Sequence, residues 1–290
     1  MGVSHAWNDE VFEVNPRQAG SAVLLALLLL WGGAMAPAAG AQPRPAPPQH
    51  PVCDRAAFRT VVDVGHTLEV AGAKTAHGAT EYDFNLRLAR QIDKDLRAAG
   101  FGRTVLMVST EPPTAGLYKR AARINELKAD LLLSVHHDAV PDSFLETWQF
   151  EGQEQHFSDR FPGHSLFISN DNADPRGSLA FGRLLGNALK ARGLTYTHHY
   201  TEKFMGHRQR ELLDAQAGVY RYDQLIVLKE TRMPAVLLEA GSIVNRTEEL
   251  LLATPERQAL VGAAVVEAVD AFCAARRPLS RKPAAAAQKP

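Results

Sequence analysis

Cysteine is scarce here, with two residues in a chain of 290. That excludes a zinc module built on cysteine clusters and a small fold stapled by several disulfides. Excess charge of either sign is also missing, because 32 Lys+Arg face 32 Asp+Glu. A partner held by bulk positive charge, nucleic acid above all, is therefore not expected. The compact signatures of hydrolases are absent too. No HExxH pair occurs, and no G-x-S-x-G elbow supports a serine nucleophile. The two cysteines lie at the ends of the body, which is a poor position for a thiol nucleophile. No internal repeat is visible.

What is present is ordinary globular usage, 46% hydrophobic and 22% charged, in a chain long enough to bury a sizeable core. Eleven histidines leave a histidine-based metal site open. The longest apolar run is AVLLALLLLW, Ala22 to Trp31, with no charge between Arg17 and Arg44. It is shorter than the roughly 20 residues of a comfortable membrane span. The small residues Ala39-Gly40-Ala41 follow it. This is the pattern of a secretory signal peptide over residues 1–41, although the segment before the run carries Asp9, Glu10 and Glu13. A start codon assigned too early explains those acids. A retained N-terminal anchor is the alternative, and either reading puts the body outside the cytoplasm, periplasmic or secreted. Residues 42–51 (QPRPAPPQHP) read as a Pro-rich linker, and residues 276–290 as a disordered basic tail. Between them, 52–275 reads as one domain. In an oxidising compartment Cys53 and Cys273 are candidates for a disulfide tying its ends, against the alternative of two buried thiols.

Hydrophobic patterning alternates along this body. Strands are expected at Phe58–Val64, Thr104–Val108, Leu131–Val135, Ser165–Ser169, Leu225–Leu228 and Ala235–Leu238. Helices are expected at Tyr82–Ala99, Leu117–Lys128 and Leu179–Ala191, and from Pro255 to about Ala274. That order predicts an α/β fold with a mostly parallel central sheet flanked by helices on both faces. Between residues 139 and 164, Thr147-Trp148-Gln149-Phe150 alternates like a strand and suggests a hairpin or rim loop, lining a groove or merely packing.

In parallel sheets, sites collect beyond the carboxyl ends of the strands. Three strands here each deliver a histidine or carboxylate to that edge: Gly65-His66 after VVDV, His136-His137-Asp138 after LLLSV, and Glu239 after AVLL. Two imidazoles and a carboxylate suit a catalytic zinc site with an open position, and a further carboxylate suits a base for water.

These residues fall in segments that resemble the zinc-dependent N-acetylmuramoyl-L-alanine amidases. Val61-Val62-Asp63-Val64-Gly65-His66 resembles that family's D-x-G-H strand. GATEYDFN, Gly78 to Asn85, resembles its G-x-x-E-x-x-x-N segment. Gly116 to Arg120 with Asn125, Ala129 to His136, Val227-Leu228-Lys229, Pro234 to Glu239 and Gly241 to Asn245 continue the match in order. The resemblance covers about 60 to 270. It implies zinc ligands at His66, Glu81 and His136 and a catalytic glutamate at Glu239. It also implies hydrolysis of the amide joining N-acetylmuramic acid to L-alanine in peptidoglycan, for cell-wall remodelling such as daughter-cell separation, with a protein activator as a candidate partner. His137, Lys229, Arg120 and Asn245 are candidate substrate contacts. The chain departs from the family pattern at Thr67-Leu68, where Gly-Gly is usual. It also departs at His137, where a small residue is usual, and at Lys229, where Arg is usual. Two alternatives stand beside this reading: a stem-peptide carboxypeptidase, and a non-catalytic cell-wall binding protein.

Overall fold

Five consecutive buried residues, Thr60–Val64, form strand β1. The absence of alternation is explained by its place in the sheet, where both faces are covered. The computed structural model describes residues 52–110 and 115–276. The expected signal, the Pro-rich linker and the tail beyond residue 276 lie outside the described residues. In chain order β1 is followed by helix α1 (Glu81–Ala98), β2 (Val105–Met107), α2 (Ala115–Glu126) and β3 (Leu131–Asp138). A hairpin of β4 (Glu146–Phe150) and β5 (Gln153–Phe157) precedes β6 (Ser165–Ile168) and α3 (Pro175–Ala191). Then come β7 (Leu212–Asp214), β8 (Val219–Arg221), α4 (Ile226–Glu230), β9 (Ala235–Ser242), α5 (Arg246–Leu252) and α6 (Pro255–Arg276).

The sheet runs β2-β1-β3-β9-β6-β8-β7. β1 pairs in parallel with both β2 and β3, and β3 in parallel with β9. The mostly parallel expectation holds at this central set, and antiparallel pairing enters only at β6 on β9 and β7 on β8. One core lies between the sheet and α1, α3 and α6, and includes Val62, Leu133, Leu88, Ile92, Phe181 and Phe272. A second lies under α2 and α4 and includes Val61, Leu132, Ile124 and Leu228. Helix α6 is long and apolar enough to span a membrane by composition. It is instead a core helix, packed on α1 and α3. A Cys53–Cys273 disulfide, with Cα atoms 5.2 Å apart, ties the segment before β1 to the last turns of α6.

The expected strand at Leu225–Leu228 is a correction: residues Ile226–Glu230 form helix α4. A four-residue apolar run has too few positions to distinguish a buried strand from a buried helical turn. The end of this segment is held from a distance in sequence: Asn172 Nδ2, just before α3, donates to the carbonyls of Leu228 (2.6 Å) and Thr231 (2.9 Å). The expected alternation at Thr147–Phe150 is a strand, paired antiparallel with β5.

Candidate metal centre

Strand β1 stops at Val64, and the chain turns through Gly65 to His66, which adopts φ 65°. A non-glycine residue in the left-handed region costs free energy and persists only where its surroundings hold it. Arg120, on α2, does so: Nη1 donates to the Val64 carbonyl (3.2 Å) and Nη2 to the His66 carbonyl (2.7 Å). The guanidinium is buried and faces the fully buried Asp63 carboxylate at 3.6 Å. Ser134 Oγ also donates to Asp63, at 2.9 Å. Two glycines give the imidazoles room. A Cβ at Gly65 would lie 2.5 Å from the His136 ring, and one at Gly72, where φ is +76°, would lie 2.3 Å from Glu81 Oε2.

Glu81 opens α1, next to the cap that Thr80 provides by accepting the Asp83 N–H. An acid in this first turn is favourable on its own, and the loop from β1 folds back to make it more than that. Ala73 N–H donates to Glu81 Oε2 (3.2 Å). Trp148 of the hairpin donates its indole N–H to the Ala76 carbonyl (2.9 Å), bracing the same loop. Glu81 Oε2 thereby lies 2.9 Å from His66 Nε2, and Oε1 lies 3.0 Å from His136 Nδ1. The three donor atoms fall within 4.8 Å of one another, close enough to hold one cation. Burial alone pushes the Glu81 carboxyl up, but the hydrogen bonds from His136 and His66 outweigh it and hold the group well below its usual range. It is therefore an anion ready to ligate.

His136 and Glu239 lie inside strands rather than just past them, because β3 and β9 run on to Asp138 and Ser242. The two residues are register partners on adjacent parallel strands. Glu239 Oε2 is buried and accepts no hydrogen bond. Burial, then repulsion from Asp138 and Glu81, pushes its carboxyl well above the ordinary value. A cation on the three donors would neutralise Glu81 and so remove part of that repulsion. Asp138, which sequence reasoning left without a role, is buried and pushed up to about 6 chiefly by burial. Tyr200 Oη donates to both its oxygens, at 2.7 and 2.8 Å. Tyr200 sits on a single 3₁₀ turn (His199–Thr201) far from any motif, and no pattern in the sequence marks it.

The remaining candidates are dispersed. His137 is buried behind Glu81, with Nδ1 2.7 Å from Asn85 Oδ1 and its ring edge-on to Phe84. Asn85 in turn donates to Glu81 Oε1 (3.2 Å). Burial lowers His137 to about 3, so its ring is neutral. Arg120 spends its donors on the chain that presents His66. Asn245 caps α5, its Oδ1 accepting from the N–H groups of Thr247 (3.1 Å) and Glu248 (2.8 Å). Lys229 is exposed on α4, with Nζ 3.8 Å from Asp171.

Comparison with known proteins identifies the family and the fold. A family model described as N-acetylmuramoyl-L-alanine amidase matches residues 60–271. The chain is similar to the probable cell wall amidase LytH of Staphylococcus aureus, 24% identical over 217 residues, which is 74% of this chain. It spans 58% of the length of that relative. Among solved structures, the fold resembles the N-acetylmuramyl-L-alanine amidase Ami1 of Mycobacterium smegmatis (TM-score 0.57, 18% identity, 77% of this chain and 99% of that one). It also resembles the CwlD amidase of Clostridioides difficile, solved in complex with the GerS lipoprotein (TM-score 0.54, 18% identity, 75% and 99% covered).

Proposed function

The chain belongs to the N-acetylmuramoyl-L-alanine amidase family, and we propose on that footing that it is a zinc-dependent hydrolase of the amide between the lactyl group of N-acetylmuramic acid and L-alanine of peptidoglycan stem peptides. The observation that carries this reading is the convergence of His66, Glu81 and His136 beside a buried carboxylate oxygen of Glu239 that has no partner. Two imidazoles and one carboxylate are a donor set that zinc accepts in catalytic sites, leaving a position open. When bound, zinc supplies a Lewis acid that polarises the scissile carbonyl and acidifies water.

The protein's own residues do the rest. Glu239 takes a proton from water as the water oxygen bonds to the carbonyl carbon. It returns that proton to nitrogen as the C–N bond breaks, leaving a lactyl carboxylic acid and a peptide with a free L-alanine amine. Arg120 fixes His66 through its carbonyl, and Asn85 orients Glu81. Such outer contacts sharpen ligand geometry and tune affinity. Peptidoglycan lies outside the cytoplasm, which accords with the export signal read from the sequence and with a disulfide, a bond that persists in oxidising compartments. A protein activator as partner and a part in daughter-cell separation remain within the proposal.

Metal removal tests it. The purified protein is expected to contain about one zinc per chain, the number that a single three-donor site holds. Dialysis against a strong chelator is expected to reduce stem-peptide release to background, and stoichiometric zinc to restore it. Undiminished release by metal-free protein would reject the reading.

A further inference from the structure

The loop between β1 and α1 carries two of the three metal-binding side chains, His66 near its start and Glu81 just past its end. Its second half doubles back on itself. Lys74 and Thr80 form an antiparallel bridge, and the Glu81 N–H donates to the Ala73 carbonyl (2.9 Å). The Ala73 N–H in turn reaches the Glu81 carboxylate. The tip of this return, residues 75–79, is closed by Thr75, whose carbonyl and hydroxyl both accept the Ala79 N–H, each at 2.9 Å. These bonds shape the return. They do not fix where it lies on the body of the domain.

The tip is pinned from outside. The His77 N–H donates to Glu249 Oε2 (3.1 Å), and Nδ1 of the same residue lies 2.5 Å from that oxygen. Facing a carboxylate, Nδ1 is the nitrogen that carries the proton. Glu249 is buried in the first turn of α5, where a helix favours an anion. A buried carboxylate needs donors, and His77 supplies two. The imidazole stands edge-on to Trp148 and Phe150 of the hairpin, with ring centroids 5.2 and 4.6 Å away. Beside it, the Ala76 N–H donates to the Ile243 carbonyl (2.9 Å). Hydrogen bonds to a charged group are roughly twice as strong as neutral ones. The contact with Glu249, which joins positions 172 apart, is therefore a stronger tie than the neutral bonds at Ala76.

We propose that His77 is a positioning residue for the metal centre. Its contact with Glu249 holds the tip of the return against α5. The Lys74–Thr80 bridge and the Ala73–Glu81 bonds carry that restraint to the Glu81 carboxylate, keeping Oε2 2.9 Å from the His66 ring and Oε1 3.0 Å from the His136 ring. Metal–ligand distances tolerate only about ±0.2 Å, so a small drift of the return is enough to weaken binding. The inference rests on the reading of His66, Glu81 and His136 as a metal centre.

The test measures zinc affinity of the full chain by competition with a fluorescent chelator. His77→Leu is expected to bind zinc about 10- to 100-fold more weakly, as for other contacts that orient a ligand. His77→Asn is expected to keep wild-type affinity, because its amide nitrogen stands where Nδ1 stood. His77→Gln places its amide at the position of Nε2 instead, and replaces the leucine variant with the same expectation if that one does not fold. Leu185→Ala is the control for destabilisation alone. It opens a cavity in the core under α3, away from the loop, and is expected to leave zinc affinity unchanged. The second readout is amide hydrogen exchange in metal-free protein, expected to quicken over residues 73–81 in His77→Leu and not in Leu185→Ala. Wild-type affinity in His77→Leu, an equal loss in Leu185→Ala, or no recovery in His77→Asn overturns the proposal. If the wild-type protein binds no zinc, the metal-centre reading fails by itself. The restraint on the loop is then judged by exchange, and falls if residues 73–81 exchange equally in wild type and His77→Leu.

Discussion

Glu239→Gln is expected to lower kcat by about 10²- to 10⁴-fold, the range that a positioned general base or acid contributes, while zinc content stays at the wild-type level. Glutamine preserves the shape of the side chain but cannot take a proton from water. Metal retention is expected because His66, Glu81 and His136 form the three-donor cluster without Glu239. Stability is not expected to suffer. Burial, then repulsion from Asp138 and Glu81, already disfavours the charged form of the Glu239 carboxyl, so a neutral amide of the same shape suits its surroundings. The variant therefore separates catalysis from folding, unlike most buried substitutions. Steady-state turnover, metal analysis and thermal unfolding on one preparation check all three expectations. Near-normal turnover would remove Glu239 as the base. Loss of zinc would move it into the ligand set.

The second large effect concerns Arg120. Arg120→Met is expected to destabilise the fold by about 3–5 kcal/mol, as when one partner of a buried ion pair is removed. Asp63 is fully buried and would keep only the Ser134 hydroxyl, and the Val64 and His66 carbonyls would lose their donors. Charge balance and positioning are separable here. In the double variant Asp63→Asn with Arg120→Met the buried charge is gone, so much of the stability is expected to return. The hold on His66 in its left-handed conformation does not return with it. Zinc affinity, measured by competition with a fluorescent chelator, is accordingly expected to remain about 10- to 100-fold weaker, as for other contacts that orient a ligand. Wild-type zinc affinity in a stable double variant would reduce Arg120 to a counter-charge for Asp63.

The sheet was legible because its central strands are short apolar runs separated by strongly periodic helices. The edge of the site was legible for the same reason: His66, His136 and Glu239 each follow such a run. Glu81 was not, since an acid at the start of a helix needs no metal to explain it. What brings it to the imidazoles is a return of the loop over residues 65–80, sustained by Gly72 and the hairpin contact from Trp148, and no local pattern encodes that fold-back. Asn245 had a local explanation within reach. Asn followed three residues later by Glu248 is a helix-start signature, and the side chain does cap α5. Strands β7 and β8 have three residues each, too few for a period to show. The Asp138–Tyr200 contact joins positions 62 apart, and Tyr200 lies on a single 3₁₀ turn too short for any spacing in the sequence to mark it.

The most direct test is the identity of the products. Purified peptidoglycan is incubated with the zinc-loaded protein, and the soluble fragments are analysed by mass spectrometry. The expected result is glycan strands whose muramic acid carries a free lactyl carboxylate, together with stem peptides that begin at a free L-alanine amine. Peptides that stay joined to muramic acid while only a terminal amino acid is released would contradict the assignment and make the centre that of a carboxypeptidase.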